Sequence, residues 1–351
     1  MPHGLEIKMK NLTTNFLLLL VSVVLSLLIL EQSYRVYLFG VASFSIEKMN
    51  SLHPLGDSGL IKPSNNPEIV FELKPDLNSY FKLAKLKTNS KGLRDKEYKL
   101  SKPGDVFRIA VIGDSFTMPA GVEIDKAYHS LLEEKLNKEQ RGATYEFINF
   151  GVGGYDLRQY LGVIKFKAQG YDPDLIIVGF CPVNDHKVSD NVIFQQQYKA
   201  RPATSYFFHS HVWESLEKYV LEPLEKKIFG KKNKHHPRYV VTSAKSEARY
   251  MNHIFSEMGA ISKKANTPIV IVYLNNKYDE TFAKKIENLV VNNGLYYLNV
   301  SIPFEGEDGN TYSIYLTDRH PNEKANSIFA EQIYDYLNKE DLLEKTGTKS
   351  D

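Results

Sequence analysis

The sequence predicts a three-layer α/β/α domain built on a parallel sheet and preceded by a membrane-spanning N-terminal helix. Three observations point there. Over residues 106–340, β-branched apolar runs alternate with segments of helical spacing. The runs are apolar throughout rather than every second residue, as strands covered on both faces are. Residues 12–30 carry no charge and end at Glu31.

The N-terminal run is long enough to cross the hydrocarbon core when residues 12–31 are taken as the span. Lys8 and Lys10 precede it, Glu31 and Arg35 follow, and no small-x-small cleavage site comes directly after. The positive-inside rule then puts residues 1–11 in the cytoplasm and the rest of the chain outside, periplasmic or at the cell surface. An uncleaved anchor is the first reading and a cleaved signal peptide the second. A buried core helix comes third, because the run is apolar all round rather than on one face.

Residues 32–105 are rich in turn signals, among them Gly56-Asp57-Ser58-Gly59 and Pro63-Ser64-Asn65-Asn66-Pro67. They read as a stalk that becomes an extended arm, with short extended pieces at Ile69–Leu73 and Tyr80–Leu83. Strands then follow at Val106–Gly113, Tyr145–Phe150, Leu175–Phe180, Pro268–Leu274 and Leu295–Val300. Helices are expected at Lys126–Lys138, Leu157–Ala168, Ser246–Ala265, Thr281–Asn292 and Asn322–Leu337. Residues 186–240 break this rhythm and read as an insertion or cap. They hold the sole tryptophan, Trp213, and a basic run from Lys226 to Arg238. Such a run reads first as solvated surface and second as a contact for anionic lipid or polysaccharide. Residues 341–351 form a tail.

Composition excludes several classes. Hydrophobic residues at 42% and charged residues at 25% describe an ordinary globular chain. A net charge of +2 gives nucleic acid no support as a partner. With Cys181 as the only cysteine, no intrachain disulfide can form. There is no His-Glu-x-x-His or Cys-x-x-Cys pattern, so no metal is expected. No glycine-rich phosphate loop follows a strand, so no cofactor is expected. The Gly-x-Ser-x-Gly elbow is absent too.

Ligands of open α/β sheets bind beyond the carboxyl ends of the strands. There the sequence places Gly113-Asp114-Ser115-Phe116, Asn149-Phe150-Gly151-Val152-Gly153-Gly154, Cys181-Pro182-Val183-Asn184-Asp185 and, after the fifth strand and a loop, Asp318-Arg319-His320-Pro321-Asn322. Each type has a job in acyl transfer. A serine hydroxyl becomes a nucleophile when histidine takes its proton. A carboxylate holds the imidazole tautomer, and Asp318 lies two residues from His320 on what reads as one loop. Backbone N–H groups of Ser115 and Gly154, with the Asn184 amide, would hold the oxyanion. Singly, each group has a plainer reading: a turn at Ser115, a tight glycine turn at Gly154, helix caps at Asn184 and Asp318. Their joint order along the chain favours the chemical one.

These four blocks resemble those of the SGNH (GDSL-like) hydrolases, over about Val106 to Leu337. The resemblance implies a flavodoxin-like fold, Ser115 as nucleophile, Gly154 and Asn184 in the oxyanion hole, and His320 with Asp318 completing a triad. Asn89-Ser90-Lys91-Gly92-Leu93-Arg94 is similar to a segment ahead of this block in anchored members, and for Arg94 a structural contact is the first reading. Pro119-Ala120-Gly121 stands where many relatives have glycine, which reshapes the acyl pocket. The expected activity is hydrolysis of O-acyl, chiefly acetyl, esters on cell-surface glycans or lipids. One alternative is a polysaccharide O-acetyltransferase with the same triad, for which the family allows a membrane-bound acyltransferase as partner. A non-catalytic glycan-binding scaffold is the other.

Overall fold

The computed structural model describes residues 2–183, 185–187, 205–229, 244–274, 280–300, 311–315 and 317–344. The chain divides into two compact units, Met1–Met49 with Ser205–Asn233, and Asn50–Thr204 with Lys234–Asp351.

In the smaller unit, helix α1 spans Pro2–Phe39. The stretch Leu12–Phe44 is long and apolar enough to cross a membrane, and none of its most apolar window is packed inside the protein. That removes the core-helix reading and leaves the anchor and the signal sequence. Past the apolar run, Glu31 accepts hydrogen bonds from Ser210 Oγ and from the backbone N–H groups of His211 and Val212. It thereby fills the first turn of the short helix His211–Leu216 with negative charge, where free N–H groups favour it. Arg35, paired with Glu31, donates to the His209 carbonyl. After a loosely wound turn at Glu217–Leu221, helix resumes over Glu222–Phe229.

The larger unit holds strands β1 (Val106–Gly113), β2 (Thr144–Asn149), β3 (Leu175–Phe180), β4 (Ile269–Tyr273) and β5 (Tyr296–Asn299). Its main helices are α2 (Tyr128–Lys138), α3 (Leu157–Phe166), α4 (Ala244–Ala265), α5 (Glu280–Asn292) and α6 (Glu323–Lys339). The five strands are parallel, in the order β2-β1-β3-β4-β5. This is the flavodoxin-like order expected from the sequence.

Alternation along β1 explains the layers. All eight of its residues are buried. Phe107, Ile109 and Val111 pack with Leu132 and Leu136 of α2 and Phe329 and Ile333 of α6. Ala110 and Ile112 join the opposite layer with Tyr160 of α3, Phe255 of α4 and Ile286 of α5. A strand buried on both faces has no polar side to show, which is why its sequence reads as an unbroken apolar run.

Residues 50–105 belong to this same core. Ile61–Pro63 pairs antiparallel with Phe71–Leu73, and Asn78–Phe81 with Ala84–Lys87. Leu60, Ile69, Phe71, Leu86 and Leu93 lie in the cluster that contains Ala110 and Ile112. Each such side chain contributes roughly 1.5–3 kcal/mol by leaving water.

Candidate active site

The order of the strands reverses between β1 and β3, so the loops leaving their carboxyl ends diverge and open a crevice. Ser115 stands there, in the turn that ends β1. Asp114 Oδ1 accepts from the Phe116 N–H at 2.9 Å, the Asp114 carbonyl from Met118 at 2.8 Å, and the Ser115 carbonyl from Ala120 at 2.9 Å. The backbone of Ser115 is therefore fixed on both sides while its side chain stays partly open.

Asp318 and His320 come from a different architecture than the loop the sequence suggests. Asp318–Pro321 is a short strand, antiparallel to Ser313–Tyr315. Successive side chains of a strand point to opposite faces, so residues two apart share one face. His320 Nδ1 lies 2.5 Å from Asp318 Oδ1, and His320 Nε2 lies 2.8 Å from Ser115 Oγ. With Asp318 ionised, Nδ1 carries the proton and Nε2 accepts from the serine hydroxyl. Burial opposes that ionisation, but the hydrogen bond from His320 and the charges of His320 and Lys82 hold the Asp318 carboxyl well below the usual carboxylate range. The Phe116 ring meets the imidazole edge to face, with centroids 5.9 Å apart. The strand itself is pinned by Asn322, whose amide donates to the Thr311 and Ser313 carbonyls while its oxygen caps α6 through Ala325. The cap of α6 is thus Asn322, and Asp318 is left for the histidine.

Lys82 was not foreseen. Its Nζ is 2.9 Å from Asp318 Oδ2, the oxygen that His320 does not use. Lys82 and Leu83 form the two-residue turn between Asn78–Phe81 and Ala84–Lys87, both left-handed at φ 51° and 67°. Lysine and leucine are poor residues for that conformation, which normally takes asparagine or glycine. The turn is held from outside: Ser51 accepts from both N–H groups, through its carbonyl for Lys82 and its hydroxyl for Leu83, and Tyr315 donates its hydroxyl to the Lys82 carbonyl. Strain compensated in this way marks a position the fold keeps for a purpose. No Asn-Gly pair signals the turn, so its sequence carries no flag.

Arg94 is buried and donates to the carbonyls of Met118, Pro119, Val122 and Lys85. It clamps the loop that follows Ser115, which is the structural contact expected of it. Gly154 lies in the turn after β2, left-handed at φ 83°. The same turn packs hard on the Ser115 segment at Gly151, where an added Cβ would come within 2.6 Å of the Met118 nitrogen. Asn184 lies outside the described residues. Next to it Asp185 is buried and accepts from the Tyr160 hydroxyl at 2.9 Å and the Cys181 N–H at 2.6 Å. Burial, and then the charge of Asp114, push the Asp185 carboxyl well above its ordinary value. Asp114 is raised by burial as well.

Among the described residues, one group could hold a metal ion: His209, His211 and Glu214, in the smaller unit. The two imidazoles lie 3.1 and 3.5 Å from one Glu214 oxygen, within reach of hydrogen bonds to it. The spacing His-x-His-x-x-Glu is neither His-Glu-x-x-His nor Cys-x-x-Cys.

No family model and no curated protein matches the sequence. Among solved structures, the chain is similar to a two-domain esterase (CEX) active on acetylated mannans, with a TM-score of 0.42 and 15% identity over 67% of this chain and 50% of that one. It thus spans half the length of that protein. It is also similar to TesA, at TM-score 0.42 and 13% identity over 66% and 98%. The acetyl xylan esterase AlAXEase matches at 0.39 and 14%, over 66% and 100%.

Proposed function

We propose that this chain is a serine acyl-ester hydrolase of the SGNH type. One observation carries the reading: the unbroken hydrogen-bond chain Ser115 Oγ–His320–Asp318 at a sheet switch point. Ser115 Oγ attacks the ester carbonyl as its proton passes to His320 Nε2. The N–H groups of Ser115 and Gly154 and the amide of Asn184 receive the developing oxyanion. The tetrahedral intermediate collapses, the C–O bond to the alcohol breaks, and His320 returns the proton to that oxygen. Water then gives a proton to His320 and attacks the seryl ester, releasing the acid and restoring the serine hydroxyl. Lys82 is a positioning residue in this scheme. It holds Asp318 Oδ2 so that Oδ1 stays aimed at the imidazole.

O-acetyl or other short acyl esters of cell-surface glycans or lipids are the proposed substrates, supported by an N-terminal helix able to cross a membrane. The test is a fluorophosphonate probe together with para-nitrophenyl esters of graded chain length. Wild type is expected to label and hydrolyse short esters, whereas Ser115→Ala loses labelling and at least about 10⁴-fold in rate. Equal reactivity of the two folded proteins would sink the reading. Mass spectrometry with an acetylated donor and a glycan acceptor separates hydrolysis, which yields free acetate, from transfer to the glycan.

A further inference from the structure

The smaller unit shows an apolar stripe that no described residue covers. Trp213, Leu216, Val220, Leu224 and Ile228 recur at steps of three and four residues along His211–Phe229, so they share one side of the helical segment. Trp213 is 57% exposed and Ile228 68%, and the three between them are exposed as well. Glu214, Lys218, Glu222 and Glu225 fall on the other side of the same period. A face of this kind in water would be an aggregation hazard unless something apolar receives it.

What receives it is indicated by where the segment begins. Within this unit, Glu31 caps His211–Leu216, Arg35 holds the His209 carbonyl, and Tyr34 donates to Ser215 at 2.8 Å. These three α1 residues come directly after the uncharged run 12–30. The stripe is therefore continuous with the end of the candidate membrane span. Its composition suits a bilayer surface: an aromatic at its head, aliphatic side chains along it, and exposed Lys227 beside it.

We propose that residues 211–229 lie in the interface of the bilayer that α1 crosses, with the stripe buried among acyl chains and headgroups. The segment would be a second contact with lipid. This rests on α1 being a retained membrane helix rather than a cleaved signal.

Trp213 is the sole tryptophan of the chain, so its fluorescence reports this stripe alone. The full-length protein is reconstituted into phosphatidylcholine–phosphatidylglycerol vesicles, with and without brominated acyl chains, and floated on a density gradient. The expected result is co-flotation, a blue-shifted Trp213 emission strongly quenched by brominated lipid, and poor quenching by aqueous iodide. Val220→Lys with Leu224→Lys should reverse the quenching pattern while the protein still floats, and Leu216→Lys offers a second variant if that pair folds poorly by circular dichroism. Flotation with Trp213 open to iodide and untouched by bromine overturns the interfacial contact alone. Shielding from both quenchers overturns it too, because the stripe is then buried against protein. Protein that fails to float brings down the anchor reading and the proposal together.

Discussion

Two sets of carboxylates lie close to Ser115 in sequence or in space, and the protein treats them oppositely. Asp318 is paired with the His320 imidazole and the Lys82 ammonium, and its carboxyl is held well below the usual carboxylate range. Asp114 and Asp185 sit buried, and burial pushes both carboxyls up, Asp185 further because it also meets the charge of Asp114. Removing water disfavours a lone charge, and only a nearby opposite charge or strong donors repay the loss. The comparison teaches that a carboxylate's role here is set by its partners. The negative charge is favoured where an imidazolium must be stabilised and disfavoured by burial under the turn that carries the nucleophile.

The sharpest way to break that comparison is Asp318→Asn. The amide keeps the shape but cannot hold the same imidazole tautomer, and ester hydrolysis should fall by roughly 10³- to 10⁴-fold. Steady-state rates on a short aryl ester check this, and a loss under tenfold would remove Asp318 from the relay.

Lys82→Met tests the cationic partner and should cost about tenfold in kcat with little change in KM, since general acid–base contributions as a whole reach only about 10²- to 10⁴-fold. Asp318 is faced by His320 and Lys82, and its charge adds to burial in pushing the nearby Tyr315 hydroxyl up. Losing the ammonium makes imidazolium easier to form, so the acid limb of kcat/KM should move to higher pH. Lys82→Arg should restore both. A merely structural lysine would leave the limb in place.

The smallest expected effect concerns stability, and the two carboxylate sets give it opposite signs. An unfolded aspartate releases its proton near pH 3.9. Between that value and the raised folded value, the buried pair holds more protons than the unfolded chain, so stability falls as pH rises. Asp185→Asn should flatten this decline from about pH 4 upward. For Asp318 the folded pKa is depressed, so its contribution is present above the unfolded value and is lost as pH falls through the lower folded one. Asp318→Asn should therefore flatten the acid side instead. Urea midpoints measured across pH distinguish the two. Identical slopes in both variants would contradict the assigned environments.

Much was legible in the sequence because it depends on local pattern. Val106–Gly113 reads as a central strand since both its faces are buried, and five such runs separated by helices limit the sheet to a parallel one. The glycine- and serine-bearing turns fall at strand ends, where the topology makes crevices. Asp318 and His320 could be paired from spacing alone, although the i, i+2 relation works through a strand rather than through a loop.

What only the tertiary structure decided are the contacts made by residues with no local signature. Lys82 reaches Asp318 across more than two hundred residues of chain, from a turn whose left-handed backbone is imposed by Ser51 and Tyr315. Asp114 and Asp185 look like ordinary polar turn residues until burial pushes both carboxyls up. Periodicity records which face of an element leaves water. It does not record which distant side chain arrives there, and electrostatic environment is a property of that arrival.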